Sequence, residues 1–253
     1  MTISAASGSP IALITGAAGG IGRALVRTFC NADYRVIASD LIARPKDLPC
    51  AHYVRADLAR VVKNGAYADK VFDRIRKCLD GHNLNTLINN AAVQIVGGAS
   101  SLTRDGMDHH IKCESSRAIP LYPSVPPATR SCQRERPKHQ HPRPPDQKNF
   151  VAYATSKAAL SGMTRALAVD LGSRVRVNAI EPAAIETEML LAAFKGKPDL
   201  YQLLEAYHPQ RRLGHPDEVA RLALTLASSG LDFVHGACIG LDGGIAARLF
   251  DPE

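Results

Sequence analysis

Apolar residues recur along this chain in two periods, and the switches between them mark out alternating strands and helices. Residues 11–14 form a short unbroken apolar run that ends in a Gly-rich loop, and from Ile21 to Cys30 the apolar positions Leu25, Val26 and Phe29 fall at helical spacing. Residues 35–39 read as a second buried strand closed by Asp40, and residues 52–56 as a third. Residues 41–51 between them carry two prolines and no helical stripe, so that crossover is short. Val71, Phe72, Ile75, Cys78 and Leu79 share one face of a helix over about 66–80, and a fourth strand follows at 85–88. Farther on, 153–171 is a long helix rich in Ala and Leu, and 174–180 a strand. Pro216-Asp-Glu opens a helix to about Ser228 with proline in its first turn, and 238–241 is a last strand. Buried, non-alternating strands separated by helices predict an α/β fold, a single-domain Rossmann-type doubly wound parallel sheet covered on both faces.

The pattern fails between residues 109 and 148. This segment has no periodicity and holds eight of the 16 prolines, at 120, 123, 126, 127, 137, 142, 144 and 145, which interrupt any helix or central strand. The fifth strand and the helix before it are therefore the open part of the fold. The same segment carries eight Lys/Arg against three Asp/Glu, so it accounts for most of the net charge of +7. What remains is a nearly neutral domain, and the basicity is no argument for a nucleic-acid partner. The arginines of the segment also lack interleaved aromatics and lie inside the domain rather than at a terminus.

At 253 residues and 45% hydrophobic content the chain suits one large domain with a real core. It has no apolar stretch of membrane-spanning length and no charged-then-apolar leader pattern, so a cytoplasmic protein is expected. Six cysteines without C-x-x-C spacing argue for free thiols, and His109-His110 and His139-x-His141 lack acidic or Cys partners at ligand spacing, so no metal is assigned.

Two groups of residues carry chemistry. In Thr15-Gly16-Ala-Ala-Gly-Gly20-Ile21-Gly22 a strand feeds a Gly-rich turn into a helix, which lets backbone N–H groups approach a pyrophosphate that a side chain would block. Asp40 closes the next strand, where a carboxylate can accept hydrogen bonds from the adenosine ribose and repel a 2′-phosphate. This favours NAD over NADP, with Arg44 as the residue that would argue the other way. Tyr153 and Lys157 are one helical turn apart. An ammonium beside a phenol favours the phenolate and brings a group with an ordinary pKa near 10 into range as an acid/base, although this spacing also occurs in helices without catalytic function.

With Asp40, Asp57-Leu58, Asn89-Asn90-Ala91-Ala92, Pro182-x-x-x-x-Thr187 and Leu241-Asp242-Gly243-Gly244 in the same order and spacing, the chain resembles the short-chain dehydrogenase/reductases of the ordinary 250-residue kind everywhere except 109–148. Ala92 and Ala183 stand where that family usually has Gly. The resemblance implies hydride transfer between a nicotinamide and a secondary alcohol or ketone, with Tyr153 moving the proton and Lys157 assisting it and holding the nicotinamide ribose. It implies that Gly16, Gly20, Ile21 and Gly22 line the pyrophosphate and nicotinamide, Asp57 and Leu58 the adenine, Asn90 and Ala91 the adenosine ribose side, and Ile185 and Thr187 beyond Pro182 the carboxamide. A homodimer or homotetramer is implied too. Residues 188–213, with Met189, Leu190, Phe194, Tyr201, Leu204 and Tyr207, read as two amphipathic helices on the substrate side and suggest a partly apolar substrate, although the same spacing also serves ordinary core packing.

The family's Ser and Asn of the active site fall at Gln140 and Glu114, which cannot replace them. Read one base later, the codons of 136–140 permit V-L-N-I-S and those of 113–122 permit V-N-L-R-A-P-F-L-F-T, which restores Ser at 140 and Asn at 114 in register with Tyr153. The segment is therefore expected to be a frameshifted stretch closed by an opposite change. The alternative for the chain as printed is a nucleotide-binding pseudoenzyme.

Overall fold

The computed structural model of the protein describes residues 8–92, 130–134 and 151–248. Seven strands make one parallel sheet: β1 (Ile11–Thr15), β2 (Arg35–Asp40), β3 (His52–Arg55), β4 (Thr86–Asn89), β5 (Arg130–Arg134), β6 (Val177–Pro182) and β7 (Cys238–Leu241), in the order β3-β2-β1-β4-β5-β6-β7. The helices are α1 (Gly20–Asn31), α2 (Leu58–Lys63), α3 (Gly65–Leu79), α4 (Val151–Leu171), α5 (Glu188–Ala193), α6 (Pro198–Tyr207) and α7 (Pro216–Ala227). The doubly wound parallel sheet expected from the sequence is thus present.

Successive residues of β1 serve opposite faces of the sheet. Ile11 and Leu13 enter a core with Ile37, Val54 and Leu87 and with Val71, Ile75 and Leu79 of α3. Ala12 and Ile14 enter a second core with Ala24, Leu25 and Phe29 of α1 and Val219, Ala223 and Leu226 of α7. A strand covered on both faces has no solvent side to make polar, so β1 reads as an unbroken apolar run. Burying Phe29 completely contributes about 2 kcal/mol of transfer free energy. Neighbouring helices α1 and α7 are therefore held to the same face by the same apolar contacts that place the start of α1 under the loop after β1.

Two elements differ from the sequence expectation. The open fifth position of the sheet is filled by Arg130–Arg134, with Leu87 opposite Ser131 on one side and Ser131 opposite Val177 on the other. These residues lie in a proline-free stretch between Pro127 and Pro137, so every backbone N–H is available to the ladder. The strand thus ends at Arg134, short of the 136–140 segment on which the shifted reading placed it; that segment and the helix expected before it lie outside the described residues. The second difference is α2, six residues long and too short to show a period. It is announced only by its cap, Asp57, whose Oδ1 accepts from the N–H groups of Ala59 (2.9 Å) and Arg60 (3.2 Å). A smaller shift follows α4, where Gly172–Arg174 forms a tight turn and moves the start of β6 to Val177.

The sheet order reverses at β1, whose neighbours are β2 and β4. Open α/β sheets form a crevice beyond the strand ends at such a point. Among the described residues no helix is long and apolar enough to cross a membrane.

Candidate active site

A cleft of about 460 Å³ opens over the C-terminal ends of β1, β2 and β4. Ten residues singled out in the sequence line it together: Gly16, Gly20, Ile21, Gly22, Asp40, Asp57, Leu58, Asn90, Ala91 and Thr187. They come from segments up to 171 residues apart in number, from Gly16 to Thr187, and the sheet order is what gathers them.

The floor is the Gly-rich loop, and three of its glycines are needed for different reasons. Gly16 has φ +62°, and a Cβ there would stand 2.7 Å from the Ala91 Cα. At Gly22 a Cβ would meet the Gly16 carbonyl oxygen at 2.0 Å, so a bare Cα is what lets α1 start tight against the loop. At Gly20 it would press on the Thr187 side chain at 3.0 Å. Gly19 caps α1 without a side-chain hydrogen bond, and the first turn holds no acidic residue. The positive end of α1 is thus left to face the cleft.

Asparagine and threonine fasten the loop to β4. Asn90 Nδ2 donates to the carbonyls of Thr15 (3.2 Å) and Gly16 (2.9 Å), while the N–H groups of Asn90 and Ala91 donate to Thr15 Oγ1 at 3.1 and 3.2 Å. Asn90 is buried, so these bonds form out of water, and losing one leaves a desolvated partner. Asp40 braces the other side: Oδ2 accepts from the Ala18 N–H at 2.9 Å and Oδ1 from the Leu41 N–H at 2.7 Å. Burial and the nearby Asp40 carboxylate push the Tyr53 phenol up to about 12. The Arg44 guanidinium donates to the carbonyls of Leu48 (3.2 Å) and Cys50 (2.8 Å), so it is turned into its own loop. Thr187 caps α5, its Oγ1 accepting from the Leu190 N–H at 3.3 Å.

Tyr153 and Lys157 lie side by side on α4, 6% and 1% exposed, with the lysine Nζ 5.3 Å from the centre of the tyrosine ring. Neither lines the 460 Å³ cleft, and neither do Pro182 and Ile185. Pro182 ends β6 opposite Leu241. Ile185 turns its side chain into the core, where its Cδ1 would be 2.5 Å from a Cβ at Gly214. Positions 114 and 140 lie outside the described residues. Residues 188–213 do form two helices, α5 and α6.

Sequence reasoning missed Leu41 and Ile42, which also line the cleft and are 57% and 54% exposed; Met189, expected on the substrate-side helices, lines it too and is 77% exposed. Leu41 and Ile42 stand in a short connection and carry no period, and only their position beside Asp40 sets them apart.

Two family descriptions match the chain: short chain dehydrogenase over residues 10–125, and enoyl-(acyl carrier protein) reductase over residues 145–246. The gap between them, 126–144, lies inside the aperiodic segment. The 7alpha-hydroxysteroid dehydrogenase of Escherichia coli K12 is 30% identical over 260 residues, covering 94% of this chain and 94% of the relative. The cyclic-di-GMP-binding biofilm dispersal mediator protein of the same organism is 31% identical, covering 93% and 96%. Among solved structures, the ligand-free aldohexose dehydrogenase of Thermoplasma acidophilum superposes with a TM-score of 0.79 at 25% identity, covering 97% of this chain and 98% of that one. A short-chain dehydrogenase/reductase variant from Serratia marcescens gives 0.77 at 25% identity, covering 96% and 100%. Fold, cleft and relatives agree, and the chain belongs to the short-chain dehydrogenase/reductase family of oxidoreductases.

Proposed function

We propose that the protein is an NAD-dependent oxidoreductase of secondary alcohols and ketones, working as a homodimer or homotetramer, in which Tyr153 is the acid/base and Lys157 its assistant. The observation that carries the reading is the glycine cradle. A Cβ at Gly16 or Gly22 would come within 2.7 Å and 2.0 Å of backbone atoms, and the loop so formed presents an uncapped helix start to the cleft. That fits a pyrophosphate held by backbone N–H groups. Asp40 at the cleft wall, with Arg44 engaged by carbonyls of its own loop, supports NAD rather than NADP. Asp57 and Leu58 would border the adenine, Asn90 and Ala91 the adenosine ribose side, and Thr187 and the Ile185 backbone the carboxamide.

Bound nicotinamide supplies the hydride acceptor or donor. The protein's own part is the proton: Tyr153 Oη takes it from the alcohol, or returns it to the ketone oxygen. The Lys157 ammonium, buried beside the ring, favours the phenolate that makes this exchange possible near neutral pH.

Residues 109–148 belong to the same reading as a stretch translated one base out of register, the intended frame spelling Asn at 114 and Ser at 140. Loss of a hydrogen-bond donor to the reacting oxygen costs about 100- to 1000-fold in turnover, so the chain as printed is expected to bind NADH and turn over slowly. Fluorescence titration with NADH, on the printed chain and on one with the frame restored, tests both halves. Binding by both and fast turnover only by the restored chain is the expected result. Absence of NADH binding by the restored chain would sink the cofactor assignment. A gene whose shifted codons spell neither Asn at 114 nor Ser at 140 would sink the frameshift. In the restored chain Tyr153→Phe is expected to lower kcat by about 100-fold or more with NADH affinity unchanged.

A further inference from the structure

Leu41 and Ile42 leave the end of β2 and belong to no strand or helix, yet side chains answer all four of their backbone polar groups. Asp40 Oδ1 accepts from the N–H groups of Leu41 (2.7 Å) and Ile42 (3.4 Å). Arg55 Nε donates to the Leu41 carbonyl at 2.8 Å, and Tyr53 Oη donates to the Ile42 carbonyl at 3.0 Å. Both donors stand on β3 two residues apart, hence on one face of the sheet, with Arg55 opposite Asp40 in the register. The Tyr53 ring packs on the core shared with α1 and α7, which anchors its hydroxyl. Water could satisfy the two carbonyls without the entropy cost of immobilising an arginine and a tyrosine. What the two bonds hold is a turn whose apolar side chains line the cleft while more than half exposed. Burial alone does not keep such a segment in one arrangement.

We propose that Tyr53 and Arg55 are positioning residues for the adenosine half of the nucleotide site: gripping consecutive carbonyls, they hold the turn at 40–42 so that the Asp40 carboxylate and the Leu41 and Ile42 side chains form a preset wall. The proposal rests on the dinucleotide assignment of the preceding subsection. Neither residue lines the cleft, so each acts through the turn. A wall set before the ligand arrives spares the ordering cost that binding would otherwise carry. Asp40 links the turn to the cradle: its Oδ2 fastens the Gly-rich loop through the Ala18 N–H, and its Oδ1 fastens the turn. Burial first, and then the Asp40 carboxylate, raise the Tyr53 phenol to about 12, so its hydroxyl stays a donor through the neutral range. Behind β3, Arg74 Nη1 donates to the Arg55 carbonyl at 3.2 Å and ties the end of the strand to α3.

The test separates the two halves of the dinucleotide and needs no turnover. Affinities for NADH, ADP-ribose and reduced nicotinamide mononucleotide are measured by titration on the full chain and on Tyr53→Phe, Arg55→Met, the double variant and Asp40→Ala. Tyr53→Phe removes one hydroxyl, and Arg55→Met removes the donor but keeps an unbranched apolar stem. Each single change is expected to weaken NADH and ADP-ribose about threefold and the double change about tenfold, with the mononucleotide within about twofold of the parent. Should the Arg55 variants not fold, Tyr53→Phe carries the test alone, with the loss of about threefold confined to NADH and ADP-ribose. ADP-ribose affinity within about twofold of the parent in the double variant, or in Tyr53→Phe where it stands alone, overturns the proposal; loss of that affinity in Asp40→Ala then leaves the cofactor reading standing. Equal losses for ADP-ribose and the mononucleotide overturn it as well, because they mark a general loosening of the fold. If Asp40→Ala leaves ADP-ribose affinity unchanged, the adenosine assignment falls, and the proposal with it.

Discussion

Replacing Asp40 by alanine tests the cofactor reading at a residue that braces the loop and is proposed to meet the adenosine ribose. The carboxylate accepts the Ala18 N–H at 2.9 Å and the Leu41 N–H at 2.7 Å, so it holds the Gly-rich loop to the end of β2 before any ligand arrives. A hydrogen bond to a charged group is worth about 1.5–3 kcal/mol, and each 1.4 kcal/mol is about tenfold in affinity. Loosening the loop and removing the ribose acceptor together are expected to raise the NADH dissociation constant by about 10- to 100-fold or somewhat more. NADPH should respond differently, because the same change removes the negative charge that repels a 2′-phosphate. Its affinity is expected to hold or rise, narrowing the NADH/NADPH ratio by at least about tenfold. Asp40→Asn, which keeps one oxygen for the Ala18 N–H but loses the charge, is expected to fall between. Fluorescence titrations of both dinucleotides on the three proteins decide it. NADH affinity within about twofold of the parent in Asp40→Ala would refute the reasoning, while equal losses for NADH and NADPH would leave Asp40 as a loop brace and remove the ground for preferring NAD.

Gly22→Ala should be more severe, because the added Cβ would stand 2.0 Å from the Gly16 carbonyl oxygen and 2.7 Å from the Ala17 Cα, so α1 must back away from the loop. Overpacking of this kind costs about 1–3 kcal/mol, read as a lower midpoint in urea together with at least about tenfold weaker NADH binding; a variant matching the parent in both would contradict the packing. The acid limb of stability should carry a contribution from Glu218, which two hydrogen bonds from Arg212 (2.7 and 2.8 Å) and one from the His215 N–H (2.7 Å) hold at about 2, below its usual 4.5. A depressed carboxyl stabilises the fold above its unfolded value and loses that stability as pH falls from about 4.5 toward 2. Screening at this exposed site limits the effect to about 1 kcal/mol or less, so urea midpoints of Glu218→Gln and parent should differ at pH 7 and converge near pH 2; a difference that persists there would contradict the linkage.

Most of the frame was legible because it rests on local rules. The β1 run, the helical stripe of α1 and the Pro216 start of α7 each follow from a period or a cap within a dozen residues. Asp57 shows where that legibility thins. Its place at the cleft was expected from the resemblance, yet its observed hydrogen bonds are those of a helix cap, and α2 was too short to announce itself. Leu41 and Ile42 went unseen because nothing in their own neighbourhood marks them.

From residues alone came the loop that only glycine can form, the Tyr153–Lys157 spacing on one helix face and the break in pattern at 109–148. Tertiary structure decided what depends on pairing between distant segments. It placed Arg130–Arg134 between β4 and β6, turned Ile185 into the core, turned Arg44 back on its own loop, and set Glu181 against Ser161 across the α4–β6 contact. A backbone torsion or a helical period is fixed by neighbours in sequence. Which ladder a strand joins, and which charge a buried side chain meets, is fixed only when desolvated partners from elsewhere in the chain come within reach.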